Sequence, residues 1–310
     1  MTTQTAKYEQ MIQDLRVQLR PQREWGEGRG LFLVIGHFLN GIAGGAWLMS
    51  LVFDSLAGLT VAFVLAALGG LAHLCFLGRP ERFWRMVSRM KSAWISRGFL
   101  GLSLFLAGAF LYLVPQLIPA APWSAGSLIA QTGYVLAFVG MITLIGYMGF
   151  VYTASKAIPF WNSPLHPVLY IGHALRGGVA ALLVVAAFSA PAGGAEQELL
   201  WMWIAVTSAV AVLFAIEMHG AFTSGNVAAR GSVRTLLAGS MAVYFYIGTL
   251  AVGVAVPAWL VFSGWHSLLH ARDFMALIGV ASAVGDFFLK YSVIRAGTHL
   301  PLWTPTAPRR

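Results

Sequence analysis

The chain has 310 residues, of which 58% are hydrophobic and only 10% are charged, and its formal net charge is +9. A soluble domain carries about 25% charged residues, so this composition excludes an ordinary water-soluble fold. The cations lie in short connections between long apolar runs, which excludes the continuous basic surface of a nucleic-acid-binding protein. The single cysteine, Cys75, excludes an intramolecular disulfide and a metal or iron–sulfur site made of cysteines from this chain alone.

A polar segment precedes the first apolar run. It lacks a cationic stretch followed by an apolar stretch and a small-residue cleavage site, so we do not expect a cleavable signal. We predict a polar, partly helical cytoplasmic arm over 1–30 and a short tail over 296–310.

Apolar runs of about 20 residues are long enough to cross a bilayer core of about 30 Å. Such segments are helical because lipid offers no partner for unpaired backbone groups. The sequence therefore predicts an all-α integral membrane protein with eight transmembrane helices. The predicted spans are 31–53, 57–77, 98–118, 129–154, 167–190, 199–220, 236–262 and 274–294.

The distribution of cations predicts the topology. Eight spans place both termini on one side of the membrane, which we call side A. All lysines and arginines except Arg176 and Arg272 lie on side A or at the helix ends there. By the positive-inside rule, side A is cytoplasmic and both termini are inside.

A short internal repeat links the first and fifth spans. Residues 36–41 and 172–177 both read Gly-His-x-Leu-polar-Gly, at matching depth. Parallel repeats of this kind occur in membrane proteins. The repeat predicts two four-helix bundles, the first over 31–154 and the second over 155–295.

Polar and ionisable side chains inside spans are energetically expensive, so each is a candidate functional residue. In this sequence they cluster in the halves of the spans nearest side A, which predicts a polar cavity open near that face. The clustered residues are His37, Asn40, His73, His173, Arg176, Glu217, His219, Asp286 and Lys290.

His37 and Asn40 are three residues apart and therefore share one helix face. An imidazole beside an amide suits hydrogen bonding to the ring oxygens of a quinone, and a histidine can exchange a proton near neutral pH. The alternative is that these side chains only join helices through satisfied hydrogen bonds.

His173 and Arg176 repeat the same spacing in the fifth span. A buried arginine requires a counter-ion, and Glu217 and Asp286 are the only carboxylates within the predicted spans. One of them is predicted to pair with Arg176, although Lys290 lies four residues after Asp286 and can neutralise it instead. These residues are candidates for a buried ion pair or a proton relay.

Two other function classes remain open. Histidines on side A allow a haem-bearing anchor of the cytochrome b type, because two histidines from two helices ligate haem in such proteins. We expect no haem, since the opposite halves of the spans contain no histidine, and no metal-binding spacing of Cys and His is present. A secondary transporter is the other alternative, because repeats and buried charges are typical of that class.

The connection after the second span has the composition of a membrane-interface segment. Six cations face one acidic residue and alternate with aromatic residues. It predicts a cytoplasmic topology signal that also serves as a docking surface for a partner. The candidate docking residues are Arg79, Arg82, Trp84 and Arg85.

Eight spans, together with HLCFLGRPERFWR over 73–85 and KSAWISRG over 91–98, resemble the membrane anchors of the NrfD/polysulfide reductase family, to which the DMSO reductase anchors are related. The resemblance implies a haem-free, non-catalytic subunit of two four-helix bundles in the bacterial or archaeal cytoplasmic membrane. It implies menaquinone or ubiquinone as ligand. It also implies a ferredoxin-like partner with four iron–sulfur clusters and a catalytic partner carrying a molybdenum or tungsten pterin.

The resemblance also implies site residues. Family anchors surround the quinone head with an Asn and a His one turn apart in the first helix and a Tyr late in the fourth. His37, Asn40 and Tyr147 match, with the order of His and Asn reversed. In the DMSO-type anchors a His directly precedes the Leu-Gly motif, whereas here Phe76 holds that place and His73 lies one turn earlier.

Overall fold

The computed structural model describes residues 3–16, 19–189, 195–264 and 272–300. Within these residues, eight helices are long and apolar enough to cross a membrane, which confirms the predicted fold class. They are Gly30–Val52 (α2), Leu56–Phe76 (α3), Trp94–Leu117 (α4), Leu128–Thr153 (α5), Leu165–Phe188 (α6), Glu196–Thr223 (α7), the segment Tyr244–Ser263, and Phe274–Ala296 within α10 (Arg272–Ala296).

The two spans that carry the internal repeat form the centre of the molecule. About two thirds of the apolar windows of α2 and α6 are buried, the largest fractions among these spans. The helices cross at Gly45 and Gly178, where a methyl group on Gly45 would overlap with the backbone of Ala174. Small residues permit this close approach. In lipid, where no hydrophobic effect drives helices together, the resulting van der Waals packing stabilises the pair.

The remaining spans flank this central pair. Helix α2 packs against α3 and α5, and α4 packs against α3 and most extensively against α5. Helix α6 packs against α7 and α10, and α10 packs against the segment that begins at Tyr244. Contacts between α2 and α6 and between α5 and α6 join the two sets, and the division into two separate four-helix bundles stays a prediction.

The seventh span begins later than predicted. An amphipathic helix over Val227–Ala238 (α8) precedes it, capped by Asn226, whose side chain accepts hydrogen bonds from the backbone N–H groups of Ala228 and Ala229. The span itself is a π-helix over Tyr244–Ala255 that continues as an α-helix over Val256–Gly264 (α9). The predicted start at 236 was wrong because the apolar end of α8 runs into the span in sequence, with only a short break between them.

The segment before the first span pairs with the segment after the last span. The arm contains a helix over Thr3–Arg16 (α1) and a strand over Arg20–Pro21 (β1), and β1 pairs antiparallel with Thr298–His299 (β2) after the last span. The helical part of the arm is as predicted, but the strand pairing was not. This pairing places both ends of the membrane region at the same end of the molecule, as an even number of spans requires. Residues of the tail from 301 onward lie outside the described residues.

The basic connection after α3 is a 3₁₀ helix over Pro80–Arg89. Its ten residues exceed the three or four that are usual for this helix type. With three residues per turn, Arg82 and Arg85 lie on one face of this helix, and Arg79 directly precedes it.

The helix crossing provides a test of the central packing. Gly45→Ala places a methyl group against the carbonyl of Ala174, whereas Gly146→Ala adds one that meets only the far end of a phenylalanine ring at 3.9 Å. We expect Gly45→Ala to destabilise the protein by about 1–3 kcal/mol through overpacking, and Gly146→Ala to leave it unchanged. Thermal unfolding in detergent measures both, and equal melting temperatures would contradict the crossing.

Candidate functional site

A cavity of about 300 Å³ lies at the end of the first four spans, beside the 3₁₀ helix. Its wall is mainly apolar, and the polar groups in it are imidazole, indole and phenol rings. Helices α2, α3, α4 and α5, the arm and the 3₁₀ helix all contribute to the wall. The lining residues are Trp25, Leu33, His37, His73, Phe76, Leu77, Met86, Ile95, Gly98, Phe99, Leu102, Tyr147 and Val151.

Three of the four predicted quinone ligands line this cavity together. The ring centroids of His37 and His73 are 5.2 Å apart, and those of His37 and Tyr147 are 6.1 Å apart. The ring of Tyr147 packs on Gly98, where a larger side chain would overlap with it. Two imidazoles and a phenol from three helices thus face one apolar space.

His37 is buried and oriented by a partner that the sequence did not reveal. Its Nδ1 shares a hydrogen bond of 2.6 Å with the hydroxyl of Tyr152, which is fully buried one turn beyond Tyr147. Fixing Nδ1 leaves Nε2 as the nitrogen available to a ligand, because an imidazole has two hydrogen-bonding atoms.

The hydrogen bonds of His73 fix its tautomer. Its Nδ1 lies 2.9 Å from the carbonyl oxygen of Gly69, and a carbonyl can only accept, so Nδ1 donates. In the neutral ring Nε2 is then an acceptor. Nδ2 of Asn40 lies 3.2 Å from the same Nδ1. If the amide of Asn40 is turned by 180°, its Oδ1 accepts from the Nδ1–H of His73. This gives a partner to Oδ1 of Asn40, which otherwise has none among the described residues.

Asn40 itself is absent from the cavity wall. It is fully buried behind His73, with its amide also close to Tyr147. The predicted direct contact between Asn40 and a quinone stays a prediction. Asn40 is placed to orient His73 and Tyr147.

The polar arm supplies a wall that sequence reasoning missed. Trp25 lines the cavity, stacks on Trp161 at 5.5 Å and meets Tyr152 edge-on at 5.6 Å. The arm is fixed by an ion pair between Glu27 and Arg295. Nothing in the local composition of the arm indicated that one of its residues would reach the spans.

A second cluster of buried polar groups joins the last four spans around Arg176. Its Nη1 donates to Oδ1 of Asp286 at 2.6 Å, its Nε donates to Thr207 at 3.0 Å, and its Nη2 donates to the carbonyl of Gly253 in the π-helix. His173 lies 2.9 Å from the same carboxylate oxygen. Asp286 is thus the counter-ion that was expected for Arg176, and one side chain links α6, α7, α10 and the π-helix.

Glu217 belongs to a separate group nearer the end of the helices. The hydroxyl of Ser163 donates to its Oε2 at 2.7 Å, and Nδ1 of His166 lies 3.4 Å from its Oε1. His166 was not a candidate because the predicted fifth span began after it, whereas α6 begins at Leu165.

Aromatic residues connect this group to the cavity. The rings of His166 and Tyr170 have centroids 5.1 Å apart, and those of Tyr170 and Tyr152 are also 5.1 Å apart. Lys290 lies on the other side of Tyr170, with Nζ 5.8 Å from its ring centre. Titratable side chains therefore lie in a series of ring contacts from His37 into the second set of spans, although the hydroxyl of Tyr170 and Nε2 of His166 make no hydrogen bond among the described residues.

The predicted docking residues form an exposed basic and aromatic surface. In the 3₁₀ helix no residue is buried, and Trp84 is 60% exposed with the guanidinium of Arg85 5.5 Å from its ring centre. The adjacent face points inward, since Met86 lines the cavity and Phe83 contacts Phe99. The docking surface and the cavity thus share one helix.

A metal site is not evident in the part of the chain that the structure describes. No three of its His, Cys, Asp and Glu side chains come together as a possible metal centre. The predicted roles of His173, Arg176, Glu217 and Asp286 in proton transfer stay predictions, as do those of the docking residues.

Eight spans, buried charges and a ring-lined cavity at one end define a multi-pass helical membrane protein with one polar end. The sequence pattern of the family described as "Polysulphide reductase, NrfD" matches residues 28–301. The chain belongs to this family, which confirms the resemblance.

Individual relatives are similar over much of their length. The C chain of polysulfide reductase from Wolinella succinogenes is 23% identical over 308 residues, covering 88% of this chain and 97% of that protein. Protein NrfD of Escherichia coli is 25% identical over 253 residues, covering 75% and 79%. The C subunit of sulfite dehydrogenase from Allochromatium vinosum is 26% identical over 165 residues, covering 49% of this chain and 48% of the relative.

The ion cluster leads to a stability prediction. Asp286→Ala leaves the buried guanidinium of Arg176 without its counter-ion, and we expect a loss of about 3–5 kcal/mol, because removing one partner of a buried pair leaves an uncompensated charge. Glu27→Ala breaks the pair with Arg295, in which Glu27 is half exposed, and should cost less than about 1 kcal/mol. Thermal unfolding in detergent compares the two, and similar losses would show that Asp286 is not the required counter-ion.

Proposed function

We propose that the protein is the membrane anchor subunit of an oxidoreductase complex and that it binds quinone or quinol. Family membership over residues 28–301 supports the class. Two relatives carry names of lettered subunits of enzymes, polysulfide reductase and sulfite dehydrogenase, which supports a place within a complex. The observation that carries the quinone site is the convergence of His37, His73 and Tyr147 on one apolar cavity.

The cavity suits a quinone head in size and polarity. Its volume of about 300 Å³ is at the lower end of the range for small-molecule pockets, which are mostly apolar with a few placed polar groups. Its rim includes Phe76 of α3 and Ile95 and Phe99 of α4, and Ile95 is half exposed. An isoprenoid tail can leave between α3 and α4 into the hydrocarbon region.

The two histidines offer complementary chemistry to the ring. Oxidation of a quinol releases two electrons and two protons. The Nε2 of neutral His73 is an acceptor, because Nδ1 donates to Gly69, so His73 can take a proton from a quinol hydroxyl. His37 lines the same space, and its Nε2 remains available because Nδ1 is bound to Tyr152, while the hydroxyl of Tyr147 supplies a further donor.

The series of rings from His37 suggests a path for a released proton. His37 is hydrogen-bonded to Tyr152, and His166 reaches Glu217. Between them Tyr152, Tyr170 and His166 are in ring contact only, so a proton would cross this stretch through bridging water molecules. Glu217 lies in the last turns of α7, near the end of the molecule where the cavity opens. We assign the relay to Glu217 and a structural role to Arg176 and Asp286, whose charges are already paired.

The partners we propose are a ferredoxin-like subunit with four iron–sulfur clusters and a catalytic subunit with a molybdenum or tungsten pterin. The first would dock on the surface formed by Arg79, Arg82, Trp84 and Arg85, which lies directly over the cavity. A basic surface recruits an acidic partner and fixes its register. Side A carries nearly all cations of the chain, so we place it in the cytoplasm of a bacterium or archaeon, with both termini inside.

The alternatives make different predictions about the purified protein. A transporter would need its buried charges free to bind substrate near the membrane centre, whereas Arg176 and Asp286 bind each other and neighbouring backbone groups. A haem-bearing anchor would show a visible absorption spectrum with bands that shift on reduction. We expect none from this chain alone, and we expect iron–sulfur and molybdenum or tungsten subunits to copurify with it.

The quinone site is tested by His37→Ala in the isolated complex. We expect quinone-coupled turnover to fall at least about a hundredfold, the usual contribution of a proton-transferring group, while activity of the soluble subunits with an artificial dye is unchanged. His299→Ala is the matched control, because His299 lies in β2 outside the cavity. Unchanged quinone turnover in His37→Ala would remove His37 from the site.

The docking surface is tested by the double variant Arg82→Gln/Arg85→Gln. We expect weaker retention of the iron–sulfur subunit and a smaller effect of added salt on retention than in the unmodified complex, because two exposed cations no longer contribute. Lys156→Gln removes an exposed cation from another connection and should retain the partner. Equal retention by both variants at every salt concentration would place docking elsewhere.

A further inference from the structure

A groove of about 390 Å³ lies between the last turns of α7 and the amphipathic helix α8, away from the quinone cavity. Its floor is apolar, and its two basic side chains come one from each helix. The lining residues are Met218, His219, Phe222, Val233, Arg234, Leu237 and Ala238.

The arginine of this groove differs from its neighbour in having no partner. Arg230, one turn before Arg234, donates its Nε–H to the carbonyl of Phe222 at 3.0 Å. Among the described residues, the side chain of Arg234 makes no hydrogen bond or ion pair, and it is exposed. The nearby carboxylate of Glu217 is buried and held by Ser163. The groove therefore presents an uncompensated positive charge beside an apolar surface.

The length of α7 places the groove at the membrane surface. Its 28 residues extend for about 42 Å at 1.5 Å per residue, and the hydrocarbon core is about 30 Å thick. The last turns, with His219 and Phe222, thus reach the headgroup layer. Helix α8 buries Ala229, Val233 and Leu236 against the protein, so it lies along the bundle at that level.

We propose that this groove binds an anionic phospholipid. Arg234 and His219 hold the phosphate of the headgroup, and an acyl tail lies along Met218, Phe222 and Leu237. Arginine binds phosphate oxygens through several N–H groups in a fixed geometry. Basic pockets between helices near the headgroup layer are typical sites for such lipids. Phe222 and Leu237 are exposed apolar side chains of the groove, which favours a ligand with a hydrocarbon tail.

The test measures lipid retention by the full-length protein in a mild non-ionic detergent. Native mass spectrometry counts bound phosphatidylglycerol and phosphatidylcholine after both are added in equal amounts. We expect one tightly held phosphatidylglycerol per protein, and about fivefold weaker retention in Arg234→Gln, as expected for one cation near a lipid headgroup. Lys156→Gln removes another exposed cation from a different connection and should retain the lipid fully.

Further measurements separate the possible ligands. His219→Gln should also weaken retention, and inorganic phosphate at millimolar concentration should not displace the lipid, because it lacks the acyl tail.

The proposal is overturned if Arg234→Gln and Lys156→Gln retain the lipid equally, or if phosphatidylcholine binds as well as phosphatidylglycerol. Displacement by inorganic phosphate alone would assign the groove to a free anion instead, and capture of an acidic protein with no loss of lipid in Arg234→Gln would assign it to a protein partner.

Discussion

The interior of a bilayer offers no water, so every buried polar group must find its partner in another part of the protein. Arg176 shows the consequence most fully. Its guanidinium binds Thr207 on α7, Gly253 on the π-helix and Asp286 on α10, while the residue itself belongs to α6. The side chain of Arg176 therefore fixes the relative positions of four segments, which apolar contacts alone would hold less specifically in lipid.

The internal repeat puts similar residues to different uses. His173 and Arg176 form their hydrogen bonds with groups on neighbouring helices, so the second set of spans packs closely around them. In the corresponding pair, His37 lines an apolar cavity and Asn40 is buried behind it. The same pattern of residues thus gives a structural joint in one half and, in our proposal, a ligand site in the other. The difference lies in whether a carboxylate is present on the facing helix.

The sequence predicted the spans well because length and hydropathy are local properties that lipid enforces. It failed at the start of the seventh span, where the apolar end of α8 is nearly continuous in sequence with Tyr244 and no charge marks the break. His37 and His73 were candidates because polar side chains are rare in spans, and Tyr147 was a candidate because the family resemblance implied it. The place of Trp25 in the cavity wall and the pairing of Tyr152 with His37 were not predicted, because aromatic residues are common in such proteins and only the folded structure shows which ones meet.

The stacking of Trp25 on Trp161 has a mechanical consequence. The indole N–H of Trp161 donates to the carbonyl of Val293 at 3.2 Å, so the wall of the cavity is attached to the last span through two rings. The β1 and β2 strands clasp the same region from outside. A tilt of the last span would therefore move this wall directly. The second set of spans can change the shape of the cavity in this way through packing contacts alone, without transfer of charge.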